Sequence, residues 1–223
     1  MPEYRLIDFS QLHKADVIFS TQRDSAISAT IRAATDSTIS HTMLVTEHLK
    51  VIEAIDEGVK ERPWNIASKG MTLAIAMRRH SLLNAADQDK VVAAARQFEN
   101  RPYDKFGAAG SGMFGNTRNQ ILAGAGCTIN VIACAFVLKE ISDNAKDENA
   151  DKKFFCSELV SRAFTEAGFP IVNGKATTMT PQTVLISSWL SYVGHLINTP
   201  KPVSNITPEQ FERNRRSGYR KDY

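Results

Sequence analysis

A cysteine at the start of an amphipathic helix, a histidine heading an apolar strand and a glutamate inside the next strand are the side chains of this 223-residue chain with the types for joint covalent chemistry. The cysteine lies in "FFCSELVSRAFTEAGF", residues 154–169, where Leu159, Val160, Ala163, Phe164 and Ala167 form one apolar helical face and Gly168 supplies a stop. The helix therefore begins near Cys156. At that end, unpaired backbone N–H groups and the macrodipole favour negative charge, so a thiolate is stabilised there. A free thiol titrates near about 8.5, and a helix N-terminus with a cationic neighbour lowers that value. The same N–H groups, that of Cys156 included, could hold the oxyanion formed when sulfur attacks a carbonyl.

A thiolate nucleophile needs a base, and the base needs an acceptor to orient it. His41 and Glu53 in "SHTMLVTEHLKVIEAIDEGV", residues 40–59, have the types for these roles. With residues 46–48 as a three-residue loop, Val45 lies opposite Leu49, Met43 opposite Val51 and His41 opposite Glu53. Directly opposed residues share a face of the sheet, so imidazole and carboxylate come within reach. A loop one residue longer sends Glu53 to the other face. Each residue also has a plainer reading: Cys156 as a small buried apolar side chain, His41 as a satisfied core histidine, Glu53 as a strand-end carboxylate facing water. Each sits in the local structure its chemical role demands, which favours the joint reading. His48 falls in the turn, and His13, His80 and His195 have no partner pattern. Cys127 and Cys134 are seven apart without nearby histidines, and no HExxH spacing occurs, so neither metal nor cofactor is expected.

Elements must bring these three together. "ADVIFSTQ", 15–22, reads as a strand, and "DSAISATIRAATDS", 24–37, as a helix capped by Asp24. "HTMLVT" and "VIEAI" read as a hairpin, "MTLAIAMRR", 71–79, as a further strand, and 84–104 contains a helix ending before Pro102. The C-terminal third carries a proline-marked turn and candidates for a short helix and a strand. Strands fill the first eighty residues and helices most of the rest, an α+β pattern in a single domain spanning 1–223.

The formal charge is +3, and residues 201–223 alone hold six basic and three acidic side chains, so the rest is near neutral. That balance and the lack of a nucleic-acid motif argue against a nucleic-acid partner. The basic tail reads as a solvated terminus. "GAAGSGMFGNTR", 107–118, lacks the G-K-[ST] ending of a phosphate loop and reads as a connection. The uncharged run 121–138 just reaches the length for crossing a bilayer, but its Gly, Thr and Asn content favours a buried helix or helix hairpin. Residues 142–153 form a charged loop. Three cysteines argue against a secreted disulfide framework. The N-terminal residues lack the pattern of an export leader, so the chain is expected to stay in the cytoplasm of the producing cell or to leave by another route.

The ordered set "ADVIF", "SHTMLV", "VIEAIDEGV", "AIAMRR", "RPYDKF" and "FFCSELV" resembles the circularly permuted NlpC-like branch of the papain-like superfamily, in particular its YebB/YiiX-type members. Ordinary papain-like enzymes place cysteine before histidine; here His41 precedes Cys156, as permutation requires. The resemblance implies a small antiparallel sheet packed against the helix bearing Cys156, with His41 as base and Glu53 as its polar partner. It implies attack on an amide, ester or thioester carbonyl through an acyl-enzyme. Relatives include peptidases that cut peptidoglycan stem peptides and, more distantly, lipid acyltransferases of the lecithin–retinol type. Some type VI secretion toxins also look like this, which would imply an immunity protein, a secretion-machine partner, and action in the periplasm of a target cell. Asp16, Arg78 and Tyr103 lie in the resembling segments as candidate substrate contacts. For Asp16 a turn or cap hydrogen bond is the plainer role, for Arg78 pairing with a carboxylate, for Tyr103 closure of the preceding helix. The insertion at 107–153 and the tail at 201–223 depart from a minimal member. A third reading, a membrane-active module without catalysis, rests on 121–138.

Overall fold

Strands predominate because β-branched and long apolar residues alternate between two covered faces. The structure, a computed structural model, describes residues 5–22, 28, 31–32, 37–80, 84–103, 154–176 and 179–197. Six strands are described: β1 Val17–Gln22, β2 His41–Glu47, β3 Lys50–Ile55, β4 Gly58–Pro63, β5 Met71–Arg79 and β6 Leu190–His195. They form one sheet in the order β4-β3-β2-β1-β5-β6, with every neighbouring pair antiparallel. The described residues also include the 3-10 turn Phe9–Gln11 and the α-helices α1 Trp64–Ala67, α2 Ala85–Arg96, α3 Cys156–Glu166 and α4 Pro181–Leu185. The protein is thus α+β, with a helix carrying Cys156 packed on an antiparallel sheet.

One face of the sheet, with Val17, Phe19, Leu44, Ile52, Ala54, Ile75 and Met77, packs against Val91 and Ala95 of α2 and Leu159, Val160, Ala163 and Phe164 of α3. Residues in alternate register, Ile18, Met43, Val45, Val51 and Ala74, meet Phe9, Ala67 and Trp64 on the other side. Both faces are covered, which explains why the strands read as nearly continuous apolar runs. Glu53 stands among those runs on the second face.

The β2–β3 hairpin differs from its sequence reading in register. Strand β2 continues to Glu47, the turn is His48–Leu49, and Leu49 has φ 58. Leu44 pairs with Ile52 and Val45 with Val51, and the register shifts between Val45 and Glu47. Thr46 is the extra residue of this bulge, and its hydroxyl donates to Glu61 Oε1 at 3.0 Å. Val45 therefore faces Val51 rather than Leu49. Because the slip is two residues, His41 and Glu53 keep the same face but stand on a diagonal.

Helix α3 ends at Glu166; Gly168 takes φ 84 and Phe169 N–H returns to Phe164 O at 2.8 Å, the left-handed stop its sequence implied. Helix α2 starts on Asn84, whose side chain accepts from Asp87 N–H at 2.9 Å, and ends before Pro102. Of the helix expected over 24–37, Ser28, Ile31, Arg32 and Ser37 are described; the first three are helical and Ser37 is not. Asp24, Asp104, Cys127, Cys134, the insertion at 107–153 and the tail at 201–223 lie outside the described residues. Among the described residues no helix is long and apolar enough to cross a membrane.

Candidate active site

Cys156 is the first residue of α3, and contacts of Phe154, Phe155 and Ser157 fix that turn. Phe154 N–H donates to Pro102 O at 2.9 Å, and its ring lies 4.6 Å from that of Phe98. Phe155 packs with Ile31 and Tyr103. Ser157 Oγ donates to Met179 O at 2.6 Å. Phe155, the cap residue, has an extended backbone and offers no capping side chain, so the first-turn N–H groups meet no competing acceptor from it. Cys156 itself is 1% exposed.

His41 opens β2 opposite Ser20 of β1. Its Nε2 lies 2.6 Å from Glu53 Oε2, which leaves Nδ1 as the ring nitrogen for the sulfur. Glu53 is 1% exposed, a position where a lone carboxylate would be strongly disfavoured. Its second oxygen settles the matter: Arg62 Nε and Nη2 both donate to Oε1, at 2.9 and 2.5 Å. A line of alternating charge capacity therefore runs from Arg62 through Glu53 and His41 to Cys156.

The electrostatics follow from this line. Burial alone would push the Glu53 carboxyl up, but hydrogen bonding and charge from His41 and Arg62 hold it below its ordinary range. Burial would lower His41, yet the Cys156 sulfur and Glu53 outweigh it and raise the imidazole, favouring imidazolium. Burial would raise the Cys156 thiol, and the charge and hydrogen bond of His41, with smaller help from Thr42, bring it down. His41 and Cys156 thus form a coupled pair that leans toward thiolate and imidazolium. The Thr42 hydroxyl meets no hydrogen bond of conventional geometry among the described residues, but stands near enough to the sulfur to favour its ionised form. Ser20 Oγ is likewise buried without a hydrogen-bond partner among the described residues.

Of the other candidates, Tyr103 forms an isolated parallel bridge with Phe154 and packs on Phe155, beside the first turn of α3. Asp16 and Arg78 pair with each other: Arg78 Nε donates to Asp16 Oδ1 at 2.7 Å and Nη2 to Oδ2 at 2.6 Å. His13 N–H also donates to Asp16 Oδ2, at 2.8 Å, a local turn bond. Since Ser20 faces His41 and Val17 faces Leu44, this ion pair sits at the opposite end of β1 from His41. His48 is exposed in its turn, and His195 Nδ1 lies 2.5 Å from Tyr192 Oη, so neither joins the line.

Sequence reasoning missed Arg62. It lies on β4, a strand not anticipated, although "IDEGVKER" carried a usable signal: turn formers directly after an apolar strand announce a second hairpin. Val51 pairs with Arg62 and Glu53 with Lys60, so Arg62 shares Glu53's face one step along the diagonal.

Fold and site together define an α+β protein with a buried cysteine, a half-buried histidine and a buried glutamate at one end of an antiparallel sheet. No protein-family model matches the chain, and no curated protein sequence does. Among solved structures, the chain is similar to a protein described as metalloprotein YiiX, DUF1105, from Escherichia coli O157:H7, with 19% identity over 82% of this chain and 97% of that one, and a TM-score of 0.56. The two share a fold, and the YiiX-type resemblance read from the sequence is consistent with it. His41 Nε2 and both Glu53 oxygens are engaged in the contacts with each other and with Arg62, and among the described residues no group of three or more His, Cys, Asp or Glu side chains is placed to hold a metal ion.

Proposed function

We propose that the protein is a cysteine amidase or endopeptidase of the permuted papain-like type, cutting amide bonds of peptidoglycan stem peptides. The observation that carries this reading is His41 held between Glu53 and Cys156, with burial overcome so that the sulfur is favoured as thiolate. The order His41, Glu53, Cys156 along the chain supports the permuted arrangement. Cys156 Sγ attacks the carbonyl carbon, and the first-turn N–H groups of α3, Cys156 N–H among them, receive the oxyanion. His41 delivers its proton to the leaving nitrogen as the C–N bond breaks; it then takes a proton from the water that hydrolyses the thioester. Glu53 holds the imidazole in orientation throughout. Tyr103, beside this turn, is a substrate contact in this reading; Asp16 and Arg78 would have to act from the far end of β1.

A role as an antibacterial toxin, delivered by a type VI machine and neutralised by an immunity protein, extends the proposal. Purified protein incubated with cell-wall sacculi is expected to release new amine and carboxyl ends, and Cys156→Ala to release none. No new ends from any wall preparation overturns the substrate; full activity of Cys156→Ala overturns the mechanism. For the toxin role, growth arrest is expected only when the chain is expressed with a periplasmic signal, and indifference in both compartments overturns it. The uncharged run 121–138 supports a second reading, a lipid acyl hydrolase or acyltransferase, which mass spectrometry of lipid mixtures before and after incubation distinguishes.

A further inference from the structure

Glu53 needs its charge to orient His41, yet it sits where carboxylates are ordinarily protonated. Its neighbours are few. From β2 it meets His41, from β4 Arg62 and Lys60, and through His41 it reaches Cys156 of α3, while α1 brings no charged side chain. Lys60, directly opposite Glu53, turns its amine away to Asn100 Oδ1 at 2.5 Å. Among the described residues, the cation facing Glu53, other than His41, is therefore Arg62. Both of Arg62's donors fall on the one oxygen that His41 does not use, and its side chain is 30% exposed, so the guanidinium reaches Glu53 from the solvent side.

We propose that Arg62 is the positioning residue of this site: its two-donor grip on Oε1 keeps Glu53 ionised, reserves Oε2 for His41, and so sets the acidic limit of the pH range in which Cys156 reacts. A purely structural arginine would satisfy a buried carboxylate and change stability alone. A positioning arginine also changes the thiol's titration. Without it, Glu53 gains a proton at higher pH, His41 loses the charge that supports imidazolium, and Cys156 ionises less readily. The direction is fixed: the acid limb moves toward neutrality. This inference rests on the nucleophile reading above.

The test is the rate of Cys156 alkylation by iodoacetamide, read by peptide mapping across pH, which needs no knowledge of the substrate. Arg62→Gln keeps a donor without the charge and is expected to move the acid limb up by about one unit, slowing labelling roughly tenfold at a fixed pH on that limb. Arg62→Lys keeps the charge with a different donor geometry and is expected to fall between wild type and Arg62→Gln. Glu53→Gln should shift the limb at least as far as Arg62→Gln. If Arg62→Gln does not fold, Arg62→Lys is read alone, and an unmoved limb overturns the role of the two-donor grip. Limbs coinciding with wild type in both arginine variants, while Glu53→Gln shifts, overturn the Arg62 inference and leave the nucleophile reading standing. A wild-type Cys156 that titrates as an ordinary thiol, near about 8.5, overturns both.

Discussion

His41 Nε2 and Glu53 Oε2 meet at 2.6 Å although the two residues are not directly opposed in the β2–β3 ladder. The bulge at Thr46 sets them on a diagonal, and the long glutamate side chain spans it. From the other side Arg62 closes on the same carboxylate, so a buried anion is met by two cationic partners on the same face of the sheet.

Cys156 is expected to be alkylated well below the pH at which an ordinary thiol, titrating near about 8.5, reacts. In His41→Ala the favourable charge is gone and burial remains, so the thiol's pKa rises. Labelling of Cys156 near neutral pH should fall by at least roughly tenfold, one unit of pKa being a factor of ten. Peptide-resolved iodoacetamide kinetics measure this, with equal rates in the two proteins as the contrary result.

Stability should decline with acid through Glu53. Its folded pKa is depressed below the ordinary value near about 4.3, so its contribution is present above that value and lost as pH falls through the folded one. Urea midpoints from pH 7 downward are expected to fall less steeply for Glu53→Gln than for wild type in that acidic window. At pH 7 the variant should be less stable, toward the lower end of the roughly 3–5 kcal/mol lost when one partner of a buried pair is removed, because Arg62 keeps partial access to water.

Gly58 begins β4 with φ 97, and a Cβ there would stand 2.5 Å from Arg101 O. That carbonyl accepts from Val59 N–H at 2.9 Å, so it has little room to retreat. Gly58→Ala is expected to cost on the order of 1–3 kcal/mol from strain and backbone displacement. It should also slow Cys156 labelling, since β4 carries Arg62. Thermal unfolding and the labelling assay on one preparation check both parts.

The Asp16–Arg78 pair makes a useful contrast. Asp16 is buried and takes two charge-assisted hydrogen bonds, so Asp16→Asn should lower stability by about 1–3 kcal/mol. The acid limb of Cys156 labelling should stay where it is in wild type, because the pair lies at the far end of β1. A moved limb would bring Asp16 into the site.

Much of the site was legible along the chain because its local geometry has short range. The periodicity of 154–169 and Gly168 put a helix start at Cys156, and strand alternation put His41 and Glu53 on one face even though the register was off by two, since an even slip preserves the face. The strand at 58–63 was not anticipated, and with it Arg62 was lost. The final strand stayed unassigned until the sheet took it in beside β5. Local sequence determined which residues can be strand, helix or cap. Tertiary structure alone decided the bulge that sets the diagonal, the strand β4 that brings a guanidinium to a buried carboxylate, and the packing of α3 on the sheet that joins Cys156 to His41. These are contacts between distant segments, and their free energy depends on burial and pairing that no single segment contains.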